Sequence, residues 1–369
     1  MRVSNLITIS LCLIVKNEEK TLARCLESVR AAVDEIVIVD TGSSDGTKSI
    51  AAAFTEAVYD FEWINDFAAA RNFAFSKATQ EYILWLDADD VLKPEDLEKL
   101  LALKAVLTTA VDVVSMPYHL SFNQQGQVTS QLRRNRLVKR EKGFLWIGAV
   151  HEYLEVYGSI QNSDIAVCHQ PLSHDAGRNL FIYEQRQLKG EQFSPRDLYY
   201  FANELKDHCL YNRAVEFYQK FLATNQGWVE DNIGACAKLA DCFFHLNDGE
   251  NQLKYLYQSF KYAAPRADMC CRLGFYHLMR NELEIAAFWY LTATRLEPPA
   301  TAWGLVNMDC QTWLPHLQLC VCYSRLGKFQ LADQHNEQAA VYIPNDPRIA
   351  HNRAYLATML KKSETQAPA

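Results

Sequence analysis

The chain has 369 residues, of which 49% are hydrophobic and 22% are charged, and its formal net charge is −7. These fractions exclude a chain that is disordered over most of its length, and the length predicts two domains of ordinary size. The 37 basic residues do not outnumber the 44 acidic ones, so the composition does not favour a nucleic-acid partner, which needs clustered Lys and Arg.

The cysteines and the N-terminus bear on the compartment. The eleven cysteines include no CxxC pair, so neither a zinc ribbon nor a redox motif is supported. Most lie in apolar helical patterns, and we expect a reducing compartment. The apolar run 6–15 ends without a cleavage site, which favours a buried strand over a signal peptide. No segment approaches the roughly 20 apolar residues that cross a bilayer. The sequence therefore predicts a cytoplasmic protein without a transmembrane segment.

The first half of the chain predicts strands and helices in alternation. The run 6–15 reads as a strand buried on both faces, and residues 18–31 have the apolar spacing of a helix. The pattern then continues with a strand at 35–40, a helix from 45 to about 54, a short strand at 58–59, a helix at 66–78 and a strand at 82–86. This order predicts an open parallel sheet, which binds ligands beyond the carboxyl ends of its strands.

Acidic residues follow three of these predicted strands. The three clusters are Glu18 with Glu19, Asp40 with Asp45, and Asp87 with Asp89 and Asp90. A single charged strand end is ordinary turn chemistry, but three at one sheet edge favour a binding site. Two residues apart in an extended chain, Asp87 and Asp89 face the same side. Such carboxylates suit Mg²⁺ or Mn²⁺ bridging to substrate phosphates, and a departing nucleoside diphosphate needs such a cation.

Residues 7–100 resemble a family 2 glycosyltransferase with the GT-A nucleotide-sugar fold. Four segments carry the resemblance, in order and each at a strand end or helix start: 10–19 (SLCLIVKNEE), 36–47 (IVIVDTGSSDGT), 66–72 (DFAAARN) and 84–90 (LWLDADD). The resemblance implies an α/β, Rossmann-like domain that binds a nucleotide sugar, with UDP-hexose as the expected donor. It also implies inversion at the anomeric carbon in a single displacement, which needs a general base and a divalent cation.

The resemblance also implies roles for individual residues. The residues similar to those that contact the donor nucleotide are Asn17 and Glu18 for the base and ribose, Asp40 and its neighbour Asp45 for the uracil or ribose, and Arg71 and Asn72 beside the phosphates. Asp87 and Asp89 match the two acids of the DxD motif, with Asp89 as the direct metal ligand. His169 resembles a late metal or phosphate contact of several GT-A enzymes, although an ordinary hydrogen-bonded histidine is the alternative. Arg178 lies in the loop after it and is a further candidate for the diphosphate.

The candidate base lies in a later segment, 146–152 (WIGAVHE). It is similar to a W…VHE signature in a bacterial branch of the family. We assign Glu152 as the base and His151 as its rival, and we expect Trp146 to stack on a sugar. The alternative is that His151 and Glu152 merely begin an exposed strand. Many relatives place the base in a later Glu-Asp pair, but the first such pair after position 100 is Glu230-Asp231, in the helical half.

The second half of the chain repeats. Small residues twelve positions apart mark helix contacts at Ala202/Ala214, Gly274/Ala286 and Cys320/Ala332. The first residues of these pairs, together with Ala240, lie at positions 202, 240, 274 and 320, so successive positions are separated by 38, 34 and 46 residues. These spacings indicate a repeat of 34 residues with insertions. The pattern resembles tetratricopeptide repeats, whose concave surface would bind the acceptor or a second copy of the chain as a homodimer. The alternative is that these helices only support the catalytic domain.

These observations predict four regions: a GT-A domain at 1–178, a linker helix at 179–196, a helical repeat domain at 197–362 and a disordered tail at 363–369. The architecture is similar to bacterial enzymes that include the sublancin-type peptide S-glycosyltransferases, which implies a peptide or protein acceptor. A saccharide acceptor stays open, because the W…VHE segment also occurs in lipopolysaccharide-core glucosyltransferase-like proteins.

Two other functions were considered. The first is a scaffold whose transferase domain is degenerate, and the intact Asp40, Arg71, Asp87 and Asp89 count against it. The second is a nucleotidylyltransferase on a similar sheet, and the sequence lacks the Gly-rich phosphate loop that this activity needs near the N-terminus.

Overall fold

The computed structural model describes residues 6–123, 126, 128–172, 177–297 and 306–365. The chain divides into two compact units between Tyr200 and Phe201, inside helix α6 (Pro195–Asp207). The predicted boundary at residue 178 therefore falls within the first unit. The predicted linker helix 179–196 corresponds to α5 (Arg178–Leu188), which belongs to the first unit, and its side chains include the buried Ile182 and Tyr183. Of the predicted tail, residues 366–369 lie outside the described residues.

The first unit is built on a mixed sheet with the strand order β3-β2-β1-β4-β7-β6-β11-β5. Its strands are β1 (Ile9–Val15), β2 (Glu35–Asp40), β3 (Val58–Asp60), β4 (Tyr82–Trp85), β5 (Asp90–Val91), β6 (Val113–Phe122), β7 (Val128–Lys139), β8 (Leu145–Ile147), β9 (Tyr153–Glu155), β10 (Ile160–Asn162) and β11 (Val167–His169). β10 pairs with β6, and β8 and β9 form a separate antiparallel hairpin.

The centre of the sheet confirms the predicted α/β fold. β1 pairs in parallel with β2 on one side and with β4 on the other. Its residues are almost entirely buried because helices cover both faces of the parallel part of the sheet. β7 then pairs antiparallel with β4, so the second half of the sheet is mixed. This order brings the carboxyl ends of β1, β2 and β4 to one edge.

The helices of this unit begin where the sequence provides suitable residues. They are α1 (Leu22–Val29), α2 (Thr47–Phe54), α3 (Phe67–Lys77), α4 (Pro94–Val106) and α5. Asp66 caps α3, because its side chain accepts a hydrogen bond from the backbone N–H of Ala69 at 2.9 Å. Pro94 opens α4, with Glu95 and Asp96 in the first turn. The hydrogen bond from Ala69 to Asp66 thus fixes the residue at which α3 begins.

The second unit is helical, as predicted. Its elements after α6 are α7 (Tyr211–Ala223), α8 (Val229–His245), α9 (Gly249–Gln258), α10 (Ala267–Met279), α11 (Leu283–Ala293), the two-residue strand β12 (Val306–Asn307), α12 (Trp313–Arg325), α13 (Phe329–Tyr342) and α14 (Pro347–Thr365). Within the described residues, no helix has both the length and the apolar character that crossing a membrane requires.

The turns of the helical pairs confirm the repeat phase. Cys209, Asn247, Asn281 and Gly327 each have a positive φ between the two helices of a pair. Each lies seven residues after the small residue that marks the pair, so the turns share its spacings of 38, 34 and 46 residues. The left-handed conformation ends the first helix of each pair and reverses the chain. The unit is therefore a tetratricopeptide-like series of helical hairpins.

Gly274→Ala is expected to destabilise this unit by about 1–3 kcal/mol. A Cβ at Gly274 would lie 2.8 Å from the ring carbons of Tyr290, a side chain that is itself 1% exposed. Gly249→Ala is the matched control, because its added Cβ would meet Tyr276 at an ordinary 3.7 Å. Urea unfolding of both variants measures the difference. Equal stability of the two would show that α10 and α11 do not depend on this close approach.

Candidate functional site

A cavity of about 370 Å³ opens at the edge where the central strands end. Asp87 and Asp89, which follow β4, line the same cavity, as the sequence predicted for adjacent carboxylates. His151, Glu152 and His169 line it too, although they come from much later segments. The basic side chains of the lining are Lys16, Arg71, Arg134, Arg136, Arg178 and Arg196. The cavity therefore combines clustered carboxylates with an excess of fixed positive charge.

Arg71 joins two of the predicted site residues. The guanidinium of Arg71 donates through Nε to Oε1 of Glu152 and through a terminal nitrogen to Oδ1 of Asp87, both at 2.6 Å. The rings of Trp85 and Trp146 lie against it, 5.2 and 4.8 Å from the guanidinium carbon. Hydrogen bonds to two separate carboxylates, combined with ring stacking, use the planar geometry of arginine. Arg71 therefore fixes the positions of both carboxylates.

The electrostatics of this group follow from burial and pairing. Burial opposes the charged form of Asp87, but Arg71 and then Arg136 outweigh it and lower its pKa to about 2. Burial also opposes the charged form of Arg71, but the carboxylates of Asp87 and Glu152 raise its pKa above the ordinary value. Both groups are therefore ionised at neutral pH.

A cluster with the chemistry of a metal site lies beside this group. One ligand atom each from Asp89, Asp90 and His169 lies within 4.8 Å of the others. Nδ1 of His169 is 3.5 Å from Oδ1 of Asp89 and 3.6 Å from Oδ1 of Asp90. Burial opposes the imidazolium, but the hydrogen bonds to the two acids raise the pKa of His169 to about 10. Two carboxylates and an imidazole fit Mn²⁺ or Mg²⁺.

The cluster differs from the predicted ligand set of Asp87, Asp89 and His169. Asp89 and His169 are brought together as predicted, but the third member among the described residues is Asp90. Asp87 lines the same cavity and directs Oδ1 to Arg71. Arg71, on α3 and 16 residues before Asp87, is a partner of Asp87 that the sequence pattern did not indicate.

Asp90 is the buried member of the cluster of Asp89, Asp90 and His169. Its side chain and that of Arg136 are both 0% exposed, and a terminal nitrogen of Arg136 lies 3.0 Å from Oδ2 of Asp90. Oδ1 of Asp90 accepts a hydrogen bond from the hydroxyl of Tyr118 at 2.8 Å, and that hydroxyl lies 2.9 Å from Nδ1 of His169. The rings of Trp85 and Tyr118 lie 3.9 and 4.4 Å from the guanidinium carbon of Arg136. A charge pair this deeply buried is stable only with such additional contacts.

Sequence reasoning missed Tyr118 and Arg136 as site residues. The available signal was alternation: Arg134 and Arg136 lie two apart on β7 and both line the cavity, whereas Arg133 bonds to Ser115 on β6. Where a strand has several basic residues and the arginines on one of its faces are buried, an acidic partner is expected elsewhere in the sheet.

The predicted nucleotide-binding loops are interlocked. Asn17, with a positive φ, bonds through its backbone to Ser43 and through its side chain to Ser44. Glu18 lines the cavity, and burial raises the pKa of its carboxyl group, with the charges of Asp89 and Asp87 adding to the effect. The loop that carries Glu18 and Glu19 and the loop that carries Asp40 and Asp45 are thus joined by hydrogen bonds.

Asp40 and Asp45 have different surroundings. Asp40 is 1% exposed, and its Oδ1 accepts hydrogen bonds from the backbone N–H groups of Gly42 and Ser43, both at 2.9 Å. Its Oδ2 is buried and has no hydrogen-bond partner among the described residues, and Asp40 is not among the described residues that line the cavity. Asp45 instead binds the backbone and hydroxyl of Thr47 at the start of α2. Asp45 therefore stabilises the loop before α2, and its contact with the donor stays a prediction.

Asn72 and Trp146, two of the predicted donor contacts, are hydrogen-bonded to each other. Asn72 does not line the cavity among the described residues, because its side chain exchanges two hydrogen bonds with the backbone of Trp146, at 3.0 and 2.8 Å. Trp146 is 3% exposed, and its ring packs edge-on against Trp85 and Phe75. Trp146 nevertheless lines the cavity. Asn72 therefore holds the Trp146 backbone, and the Trp146 ring lies against Arg71.

The two candidate bases are held differently. Glu152 directs Oε1 to Arg71, and no described residue forms a hydrogen bond to its second oxygen, Oε2. His151 has a positive φ of 50°, and its ring stacks on Tyr200 with centroids 4.4 Å apart. Arg178, the further candidate for the diphosphate, lines the cavity with its guanidinium 4.6 Å from the ring of Phe67.

Parts of the chain are similar to a known protein family and to known proteins. Residues 10–157 match the family described as Glycosyl transferase family 2. The chain is 48% identical over 84 residues to a TPR repeat-containing protein of Synechococcus elongatus, covering 23% of this chain and 21% of that protein. It is 29% identical over 231 residues to the prophage-derived glycosyltransferase SunS of Bacillus subtilis, covering 58% of this chain and 53% of that protein.

Among solved structures, a similar one is glucosyl-3-phosphoglycerate synthase from Mycobacterium tuberculosis in complex with Mn²⁺ and UDP-glucose. It has a TM-score of 0.36 and 17% identity, over 51% of this chain and 81% of that chain. The chain spans about half or less of the length of the two relatives named above. The family match covers the central strands, the acidic cluster and Glu152. Residues 10–157 are therefore similar to glycosyl transferase family 2.

Proposed function

We propose that the protein is an inverting, metal-dependent glycosyltransferase that transfers a hexose from a nucleotide sugar, with UDP-hexose as the expected donor. The observation that carries the proposal is the meeting of Asp87, Asp89, His169, Arg71 and Glu152 in one cavity at the carboxyl ends of the strands. Ligands of open α/β sheets bind at this edge. The family match supports the reaction class.

Asp89 and His169 are the residues that would hold Mn²⁺ or Mg²⁺. Asp90 is their support, because Arg136 and Tyr118 already engage its oxygens. When bound, the cation supplies positive charge to the departing diphosphate. Asp87 and Arg71 lie next to this position and fix its electrostatic surroundings.

Glu152 is the proposed base. Its second oxygen, Oε2, accepts the proton of the acceptor hydroxyl or thiol as that group attacks the anomeric carbon and the bond to the diphosphate breaks. Arg71 orients the carboxylate through Oε1. The rival, His151, stacks on Tyr200 and Tyr183, which favours a structural role for its ring.

On the nucleotide side, Glu18 and Asp40 are the proposed contacts for the base and ribose. Glu18 lines the cavity, and Asp40 offers its unpartnered Oδ2 to a donor group of the nucleotide. Asn17 holds the same loop against Ser44. The helical unit is the proposed binding surface for a peptide, protein or saccharide acceptor, or for a second copy of the chain. The eleven free thiols suit the reducing cytoplasm expected from the sequence.

The test is a mass-spectrometric screen of purified full-length protein with UDP-hexoses, with and without Mn²⁺, against peptides and cell-envelope saccharides. Transfer or donor hydrolysis that requires Mn²⁺ would support the proposal. Absence of turnover, together with no rise in melting temperature on adding UDP, would favour the scaffold alternative.

Glu152→Gln is expected to lower hexose transfer by about 100-fold or more while donor affinity stays within about threefold, because a general base contributes to the reaction and not to donor binding. Steady-state kinetics and calorimetric titration with UDP measure the two quantities. Glu155→Gln, an exposed position on β9, is the matched control. Equal losses of transfer and donor affinity would assign Glu152 to binding.

A further inference from the structure

Arg196 lies outside the family match, in the first turn of α6, yet it lines the cavity. Its Nε and a terminal nitrogen both donate to the backbone carbonyl of His151, at 3.1 and 3.0 Å. Its guanidinium carbon lies 4.9 Å from the ring of Tyr153 and 4.5 Å from the ring of Tyr200. Arg196 therefore contacts the residues on both sides of Glu152, His151 by two hydrogen bonds and Tyr153 by a ring contact.

The segment that Arg196 holds has an uncommon backbone. His151 has a φ of 50°, in the left-handed region that residues with a side chain rarely adopt. Such a conformation persists only where surrounding contacts determine it. Contacts on the ring side include Tyr200 at 4.4 Å and Tyr183 at 6.4 Å between ring centroids, both nearly parallel to the imidazole. Arg196 provides a contact on the backbone side.

The conformation of His151 decides where Glu152 points. The peptide between them is the one whose carbonyl Arg196 binds, so rotating it would turn the Glu152 side chain away from Arg71. Glu152 reaches Arg71 across 81 residues of sequence and lies 11% exposed, which leaves little freedom for another arrangement. The fork of an arginine, stacked between rings, restricts such a carbonyl more than a single ammonium can.

We propose that Arg196 is a positioning residue for Glu152: it locks the left-handed His151 peptide so that the Glu152 carboxylate faces the cavity and Arg71. The inference rests on the proposed function, in which Glu152 is the base. It extends the catalytic machinery beyond the family match, into a segment that the sequence predicts to be a linker.

The first test is Arg196→Lys in the full-length protein. We expect kcat for hexose transfer to fall by about 10- to 100-fold, because a small displacement of a reacting group has effects of this size. The donor KM should change by less than about threefold, because the donor contacts stay in place. Arg196→Gln, which keeps one donor group, is a second variant in case Lys does not fold. Arg140→Lys is the matched control: Arg140 donates to the carbonyl of Gln80 but is exposed and does not line the cavity.

The second test combines Arg196→Lys with Glu152→Gln. If Arg196 acts through Glu152, the double variant transfers hexose at the rate of Glu152→Gln alone, whereas multiplied losses would overturn the proposal. Amide hydrogen exchange at residues 151 and 152 provides a readout besides activity. The amides of residues 151 and 152 should exchange faster in Arg196→Lys, while the amides of strands β1 and β4 stay protected. Unchanged exchange at residues 151 and 152 would contradict the proposal that Arg196 fixes the His151 peptide.

These outcomes separate the inference from the proposed function. A wild-type protein that transfers no hexose in the screen refutes the proposed function, and the exchange measurement then decides whether Arg196 fixes this backbone. A wild-type protein that transfers hexose, with Arg196→Lys equally active, refutes the inference alone.

Discussion

Asp89→Asn is expected to lower Mn²⁺-dependent hexose transfer by about 100-fold or more, because it removes a charged ligand from the position where negative charge develops on the leaving group. The fold should be preserved, since Asp89 lies at the cavity and not in the core. Titration of Mn²⁺ followed by electron paramagnetic resonance should show weaker binding in the variant, independently of turnover.

Asp164→Asn is the control for this variant. Asp164 is 85% exposed, and its carboxylate lies 3.5 Å from Lys99 at the surface. Its loss should leave both Mn²⁺ binding and transfer unchanged. Full activity of Asp89→Asn at every Mn²⁺ concentration would rule out the proposed role of Asp89 and remove the central support of the function.

Arg71→Met is expected to lower the free energy of unfolding by about 3–5 kcal/mol at neutral pH and to abolish most transfer. Removing one member of a buried charge network leaves its partners without compensation, and here the partners are Asp87 and Glu152. Urea unfolding measures the first effect. Arg30→Met is the control, because Arg30 is exposed and its guanidinium contacts the ring and the backbone carbonyl of Phe54.

The pH dependence of stability tests the same network. The pKa of Asp87 is about 2 in the folded chain, below its ordinary value of 3.8, so its contribution is present above pH 4 and is lost as the pH falls towards 2. We expect the stability difference between wild type and Arg71→Met to be largest above pH 4 and to shrink on acidification. A difference that stays constant from pH 7 to pH 2 would show that Arg71 does not act through Asp87.

In the first unit, the sequence patterns predict the central strands and the position of the site. The apolar runs predict β1, β2 and β4, and the acids after them predict the edge where the cavity lies. These are local properties: burial of a strand and the position of its end depend on neighbouring residues. Asp89 and His169 are likewise brought together as expected.

The partners of those acids were not predictable in the same way. The resemblance gives Asp89 as the direct metal ligand, and Asp89 lies in the cluster with His169, but nothing in the sequence indicates that Asp87 directs Oδ1 to Arg71. Asp90 looked like the third of three similar acids, but it is the buried partner of Arg136. The pairing of Asp90 with Arg136 depends on the antiparallel pairing of β4 with β7, and register is a long-range property of the sheet. The pairing of Asp87 with Arg71 depends on how α3 packs against the sheet.

By itself, the sequence determined the two-part architecture, the α/β order, the repeat spacing and the acidic edge, because periodicity and turn residues act over one element or one hairpin. Only the tertiary structure decided that Arg71 joins Asp87 to Glu152, that Trp146 is a buried support and that Arg196 holds His151. These contacts join residues 16 to 81 positions apart, and such pairs form only when packing brings distant segments together.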